Sequence, residues 1–221
     1  MLSKEILQKI ETEARKHFRG SSGCHDWTHV ERVLKLALHI GKAEKANLDV
    51  IKVASLLHDI SRRDEMKARG SFCHAKEGAK NAAKILAEYE FSPDFTRNVL
   101  HCIRTHRFRD RENMPQTLEA KVLFDADKLD CIGAIGVGRV FLFAGNAGSN
   151  IMYNGREKDL AKKGEDYTYH KDDSAVLEYE FKLKKIKDRV LTNTGRKMVI
   201  ARDQFMQNFF KEFWEEVEGK R

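Results

Sequence analysis

The chain has 221 residues, with 41 Lys and Arg against 34 Asp and Glu, for a formal charge of +7. That length holds one large domain or two small ones with a sizeable buried core, and no apolar run approaches the roughly 20 residues needed to cross a bilayer. The N-terminus MLSKEILQKIETEARKHF reads as an amphipathic helix instead of a secretory leader, so a cytoplasmic, single-domain protein is expected.

Only two prolines occur, and aliphatic residues are interleaved with Lys, Glu and Arg, so an all-α chain is favoured over a sheet protein. The four cysteines, at 24, 73, 102 and 131, include no CxxC pair, which argues against a zinc knuckle and gives no reason for a disulfide framework. The positive charge suits an anionic partner: a phosphorylated metabolite, a nucleic acid or a membrane surface. Because the basic residues are spread along the chain and mixed with acidic ones, a nucleic-acid or membrane surface is disfavoured against a small phosphorylated compound.

In chain order, a first helix is expected over residues 3–18, followed by the link GSSG. A second, DWTHVERVLKLALHIGKAEKAN, carries Val30, Val33, Leu34, Ala37, Leu38 and Gly41 as a core-facing stripe. The third, DVIKVASLLHDI, is short, apolar nearly all round and therefore the most buried. A charged loop is expected over 61–73, then a fourth helix, HAKEGAKNAAKILAEYE. SPDF starts a fifth, with Ser92 as N-cap and Pro93 in the first turn, running to about His106. After the polar loop RFRDRENMPQ, residues 117–145 read as helical, with glycines at 133, 136 and 138 permitting a close approach or a break. Residues 146–173 read as a long loop or lid. Two long amphipathic helices, over 174–191 and 195–219, complete the chain around a turn at Thr192, Asn193 and Thr194.

Polar residues interrupt this apolar pattern at particular places. His29 lies one helical step of four from Val33, on the buried stripe. His58 and Asp59 end the most apolar helix beside Leu56 and Leu57. Val99, Ile103 and His106 fall at i, i+4 and i+7, so His106 points inward, whereas His101, about 200° away from Val99, faces water. Asp125 shares a stripe with Leu118, Val122 and Leu129, while Asp127 and Asp130 share one with Leu123 and Ala134; periodicity does not rank the three aspartates. Several helices thus aim imidazoles and carboxylates at one core. Burying such carboxylates without compensating charge is implausible, and a divalent cation resolves the conflict.

The segments HDWTHVERVLKLA, VASLLHDIS and FDADKLDCIGAIGVGR resemble the H, HD, D signature of the HD superfamily of metal-dependent phosphohydrolases. The tail from Ser174 onward is similar to that of small stand-alone bacterial and archaeal members, so the resemblance covers most of the chain. It implies an all-α HD bundle with core 20–145, a loop or lid over 146–173 and a C-terminal helical pair over 174–218. It implies His29, His58, Asp59 and Asp127 as ligands of one divalent metal, with Asp59 at the catalytic centre. His25, the rival to His29, precedes the helix start and reads as a turn residue or one that supports a ligand. In binuclear members two further histidines hold a second metal bridged by the HD aspartate; the matching positions are His74 and His106. Mixed nitrogen and oxygen ligation suits Mn, Fe, Co, Ni or Zn, with Mg as a further option.

The implied activity is hydrolysis of a phosphoester or phosphoanhydride, most plausibly of a nucleotide, by metal-activated water. The alternative is a catalytically silent, metal-containing nucleotide sensor or scaffold. Arg32, Arg62, Arg63, Arg107 and Lys128 lie close in sequence to the implied ligands and are candidate phosphate clamps. Asp130 or Asp125 is placed to fix a histidine tautomer. Tyr153, Tyr167 and Tyr169 could stack on a base, although packing the loop onto the body is the commoner use. The aromatic residues Phe205, Phe209, Phe210, Phe213 and Trp214 could cap the core or pair two subunits as a homo-oligomer, capping being the expected use.

Overall fold

A computed structural model describes residues 2–21, 23–108, 113–164 and 172–221. Among these residues there are helices and turns and no β-strand. The helices are α1 (Lys4–His17), α2 (Trp27–Glu44), α3 (Leu48–Leu57), α4 (Arg62–Lys67), α5 (His74–Leu86), α6 (Pro93–Thr105), α7 (Leu118–Asp130), α8 (Gly133–Ala147), α9 (Glu157–Lys163), α10 (Ala175–Phe181) and α11 (Asn193–Val217). Short 3₁₀ segments add Gly23–His25 and Leu183–Arg189. Contacts divide the chain into two compact units, one of residues 1–128 with 191–195, the other of 129–190 with 196–221.

In the first unit the helix starts are written in side chains. Ser3, Asp26, Asn47 and Ser92 each accept a backbone N–H of the first turn of α1, α2, α3 and α6, satisfying donors that a helix cannot satisfy itself. Seven of the ten positions of α3 (Val50, Ile51, Val53, Ala54, Ser55, Leu56 and Leu57) are buried, and α3 packs on α1, α2 and α6. Gly41 is what lets α2 come close: a Cβ there would lie 2.3 Å from Ile51 Cδ1. Helices α4 and α6 pack on α5. Asp125 closes the unit, accepting the backbone N–H groups of Leu191 and Thr192 at 2.8 and 2.7 Å and the Thr192 hydroxyl at 2.7 Å.

In the second unit α8 and α9 pack on α10. Gly133 starts α8 with φ +79°, a left-handed conformation that favours glycine, so the expected break in 117–145 falls between Asp130 and Gly133. Phe141 contacts Phe209, Phe210 and Phe213, and Tyr153 packs edge-on against Phe213 and Trp214, with centroids 5.6 and 5.3 Å away. Tyr153 is therefore a packing residue of the aromatic cluster; Tyr167 and Tyr169 lie outside the described residues.

Three sequence expectations differ from the structure. Residues 61–73 contain the six-residue helix α4, too short for periodicity to reveal. The stretch 146–173 includes α9 and the end of α8. The expected long helix over 174–191 is instead the seven-residue α10 followed by the 3₁₀ segment. Lys182 leaves the helical region at φ −125°, ψ −55°, and the three-residue spacing of buried Leu183 and Ile186 suits a 3₁₀ turn, in which such side chains eclipse. No single helix among the described residues is long and apolar enough to cross a membrane.

Candidate metal centre

Within a helix, consecutive side chains diverge by about 100°, so two neighbours do not face one point. His58 and Asp59 escape this because α3 stops at Leu57 and the chain turns there. His29 comes from the first turn of α2, His74 from the first residue of α5, His106 from the residue that ends α6, and Asp127 from α7. All six are buried, none more than 6% exposed.

The donors form two groups sharing one carboxylate. On one side, His29 Nε2 and His58 Nε2 are 3.3 Å apart and lie 3.6 and 3.7 Å from Asp59 Oδ2. On the other, His74 Nε2 and His106 Nε2 are 3.2 Å apart and lie 3.4 and 3.3 Å from Asp59 Oδ1. Asp127 Oδ1 joins the first group at 3.5 Å from His29 Nε2. Ligand atoms held about 2.1 Å from a shared ion at angles of roughly 90–110° are about 3.0–3.4 Å apart; the His74, His106 and Asp59 Oδ1 atoms have that spacing, and in the His29 group separations of 3.5, 3.6 and 3.7 Å are slightly wider. His29, His58 and Asp59 could hold one ion, and Asp59, His74 and His106 another.

The far ring nitrogens orient the near ones. His58 Nδ1–H donates to the Ser55 carbonyl at 2.7 Å, and His106 Nδ1–H to that of Ile103 at 2.6 Å, leaving each Nε2 with its lone pair facing the site. His74 Nδ1 lies 2.8 Å from Glu65 Oε2. For these three rings the tautomer-fixing partners are therefore Ser55, Ile103 and Glu65, in place of the expected Asp130 or Asp125. Asp130 belongs to the second unit, where Arg139 Nη1 donates to it at 2.8 Å, and Asp125 holds the 191–192 backbone.

Glu65, which the sequence reading missed, is 1% exposed. Arg62 pairs with it across one turn of α4, and Arg107 Nη2 lies 3.4 Å from its Oε1. Burial alone would raise its carboxyl; the hydrogen bond and charge of His74 and the charges of Arg62 and Arg107 outweigh burial and hold it at about 2. Its one signal in the sequence is the i, i+3 spacing of Arg62 and Glu65 in RRDEMK.

Burial pushes His58 and His74 down to about 4, so both rings are neutral and available as ligands at neutral pH. Burial would raise Asp59, yet the surrounding imidazoles, His58 foremost, hold it well below the usual carboxylate range. At Asp127 burial acts in the same upward sense and is overcome chiefly by Lys128, whose Nζ pairs with Asp127 Oδ2.

Of the other expected residues, Lys128 is buried against Asp127, Arg62 and Arg107 meet at Glu65, and Arg32 Nη1 donates to Thr28 Oγ1 at 3.0 Å within α2. Arg63 is half-buried at α4, its Nη2 3.5 Å from the position of a Cβ built on Gly20. His25 sits in the 3₁₀ turn before α2, its Nδ1 3.0 Å from Cys24 Sγ and its ring centroid 5.6 Å from that of His29. His101 is half-buried and accepts the Gln116 N–H at 2.9 Å.

The chain is similar to known proteins over most of its length. A family model for the HD domain matches residues 26–132, a span that contains all six buried donors. Bacillus subtilis YpgQ, an uncharacterized protein, is 30% identical over 98% of this chain and 97% of its own length. A crystal structure of YpgQ in complex with ADP is similar with a TM-score of 0.71 and 28% identity, covering 96% of this chain and 98% of that one. A Bacillus thuringiensis structure described as an HD-superfamily hydrolase is similar with a TM-score of 0.69 and 29% identity, over 97% and 98% of the two chains. The chain belongs to the HD domain family.

Proposed function

We propose that this protein is a divalent-metal-dependent phosphohydrolase that cleaves a phosphoester or phosphoanhydride bond of a nucleotide. The observation that carries the reading is Asp59, whose two oxygens each face a separate pair of histidine Nε2 atoms. On this reading His29, His58, Asp59 and Asp127 hold one cation, and Asp59, His74 and His106 a second. Neutral imidazoles beside carboxylates suit Mn, Fe, Co, Ni or Zn, and Mg less well. Such a cation, when bound, supplies Lewis acidity toward a phosphoryl oxygen and lowers the pKa of water.

The protein's own residues prepare that chemistry. Ser55 and Ile103 keep the Nε2 lone pairs of His58 and His106 directed inward. Glu65 positions His74, and Arg62 and Arg107 beside it are half-buried guanidiniums suited to a phosphate oxygen. Lys128 keeps Asp127 ionised. The ADP complex of YpgQ supports a nucleotide as the ligand class. It equally suits a nucleotide sensor without turnover, which is the second reading.

Metal analysis of the purified protein, with a panel of nucleotides and generic phosphoesters assayed in Mn, Co, Ni, Mg and Zn, tests the proposal. Turnover that requires metal and disappears with Asp59→Ala is expected. Turnover persisting in metal-free protein would sink the mechanism, and a folded, metal-loaded protein inert toward every phosphate compound would favour the sensor.

A further inference from the structure

Large apolar side chains are exposed unevenly in this protein. Of the nine such residues among those described, eight belong to the second unit, the smaller of the two. Scattered apolar residues need no explanation, whereas a concentration of them marks an interaction surface.

Helices α8 and α11 build the part of that surface with the clearest pattern. They run side by side in the same direction: a Cβ on Gly133 would lie 3.1 Å from Arg202 Cγ, one on Gly136 3.6 Å from Met206 Sδ, and Phe141 meets Phe209, Phe210 and Phe213. On α8, Ile135, Gly138 and Leu142 share one stripe at i, i+3 and i+7, and all three are exposed, with nothing within 4 Å of a Cβ built on Gly138. The only charge in the 15 residues of α8 is Arg139, which is buried. On α11, Phe210 is turned inward, but Phe205 is exposed and half-buried Phe209 follows it at i+4. Ile135, Leu142 and Phe205 are 47, 50 and 47% exposed, which at roughly 200 Å² per large side chain leaves about 300 Å² of apolar surface in water from these three alone. A stable dimer takes about 800 Å² from each partner, a little over half of it apolar. The face therefore has the size of an interface centre, with its polar borders as rim.

The charges select the occupant. The stripe that holds Phe205 and Phe209 continues at i+7 and i+11 as Glu212 and Glu216, while Lys197 and Arg202 flank its start. Glu212 pairs with Arg221, but exposed Lys197 and Glu216 have no ion-pair partner among the described residues. An anionic membrane would be repelled by the acidic end, and a partner of one charge sign suits one end only. A second copy related by a twofold axis perpendicular to α11 suits both, because the two α11 helices then run antiparallel. Lys197 lies eight residues before Phe205 and Glu216 seven after Phe209, about 12 and 11 Å along a helix. The register that stacks Phe205 on Phe209 of the partner subunit therefore also brings Lys197 opposite Glu216 of the partner subunit.

We propose that the protein forms a twofold-symmetric dimer through this face, α8 and α11 of one copy packing antiparallel on α8 and α11 of the other. The inference is independent of the hydrolase reading.

Sedimentation velocity of the full chain over a concentration series tests it. A mass that rises with concentration from 25.5 kDa to twice that value is expected. Leu142→Glu and Phe205→Glu, both at exposed positions, should leave the chain folded by circular dichroism and raise the dimer dissociation constant by about tenfold or more. Lys197→Glu, which sets like charges opposite one another, should weaken association several-fold, and adding Glu216→Lys should restore it, a rescue that only the antiparallel register gives. A chain that stays at 25.5 kDa at high micromolar concentration overturns the proposal. So does a dimer indifferent to both glutamate substitutions, or a charge swap that changes nothing or that the double variant fails to reverse. Capture of the monomer by vesicles of phosphatidylglycerol, lost in Leu142→Glu, would assign the face to a membrane and overturn it as well.

Discussion

Stripping the protein of metal and lowering the pH from 7 to 5 should remove a large part of its stability, and the size of the loss follows from two buried rings. His58 and His74 are each held at about 4 by burial, against 6.5 in an unfolded chain. Between those values the unfolded state binds protons that the folded state refuses. The stabilisation is therefore complete above pH 6.5 and is lost as the pH falls toward 4. Linkage gives about 2 kcal/mol for each ring by pH 5 and about 3 kcal/mol below pH 4. Burial would raise Glu65, but His74, Arg62 and Arg107 lower it, and Asp59 and Asp127 are likewise lowered against burial; these carboxylates add a further loss only below pH 4.5. Urea unfolding followed by circular dichroism, in chelator at pH 7, 6 and 5, measures the effect, and His74→Gln should remove about half of it. An unfolding free energy that is flat from pH 7 to pH 5 would show that the rings are hydrated or protonated, and the proposed ligand geometry would fall with it.

Glu65→Gln should weaken metal binding at His74 and His106 by about 10–100-fold, as loss of a carboxylate behind a ligating histidine does, while the ion at His29, His58 and Asp127 is retained; metal titration with stoichiometry reads this. Asp125→Ala removes three hydrogen bonds to residues 191–192 and should cost about 2–4 kcal/mol in unfolding free energy without changing metal content at 25 °C. Lys128→Met leaves Asp127 buried without its cation and should destabilise the metal-free protein by about 3 kcal/mol, with part of the loss restored by adding Mn or Co, as thermal melts would record.

What the sequence disclosed and what it hid follow from the range of the interactions involved. His29 and His106 were legible because each sits at a helical spacing from buried aliphatics, and the HD pair because it interrupts the most apolar segment of the chain. The three aspartates of α7 were not separable by periodicity, since what distinguishes them lies elsewhere. Asp125 finds its partners 66 and 67 residues away, Asp130 pairs with Arg139, and Asp127 meets Lys128 and His29. Only the family resemblance picked Asp127. Glu65 was hidden because a six-residue helix carries too little pattern to set it apart from a charged loop. The 3₁₀ segment after α10 escaped for a related reason: apolar residues spaced by three fit an α-helix almost as well.

Asp59 gives one oxygen to each histidine pair, and this has a consequence for any ions seated there. Through that side chain the two seats are coupled. A change that rotates or neutralises the common carboxylate alters both affinities at once, and the first ion to arrive fixes the side chain in the pose the second requires, while its positive charge opposes that second arrival. Were both seats to fill, loading would be a contest between preorganisation and repulsion, and a half-filled protein would be a distinct species with its own affinity.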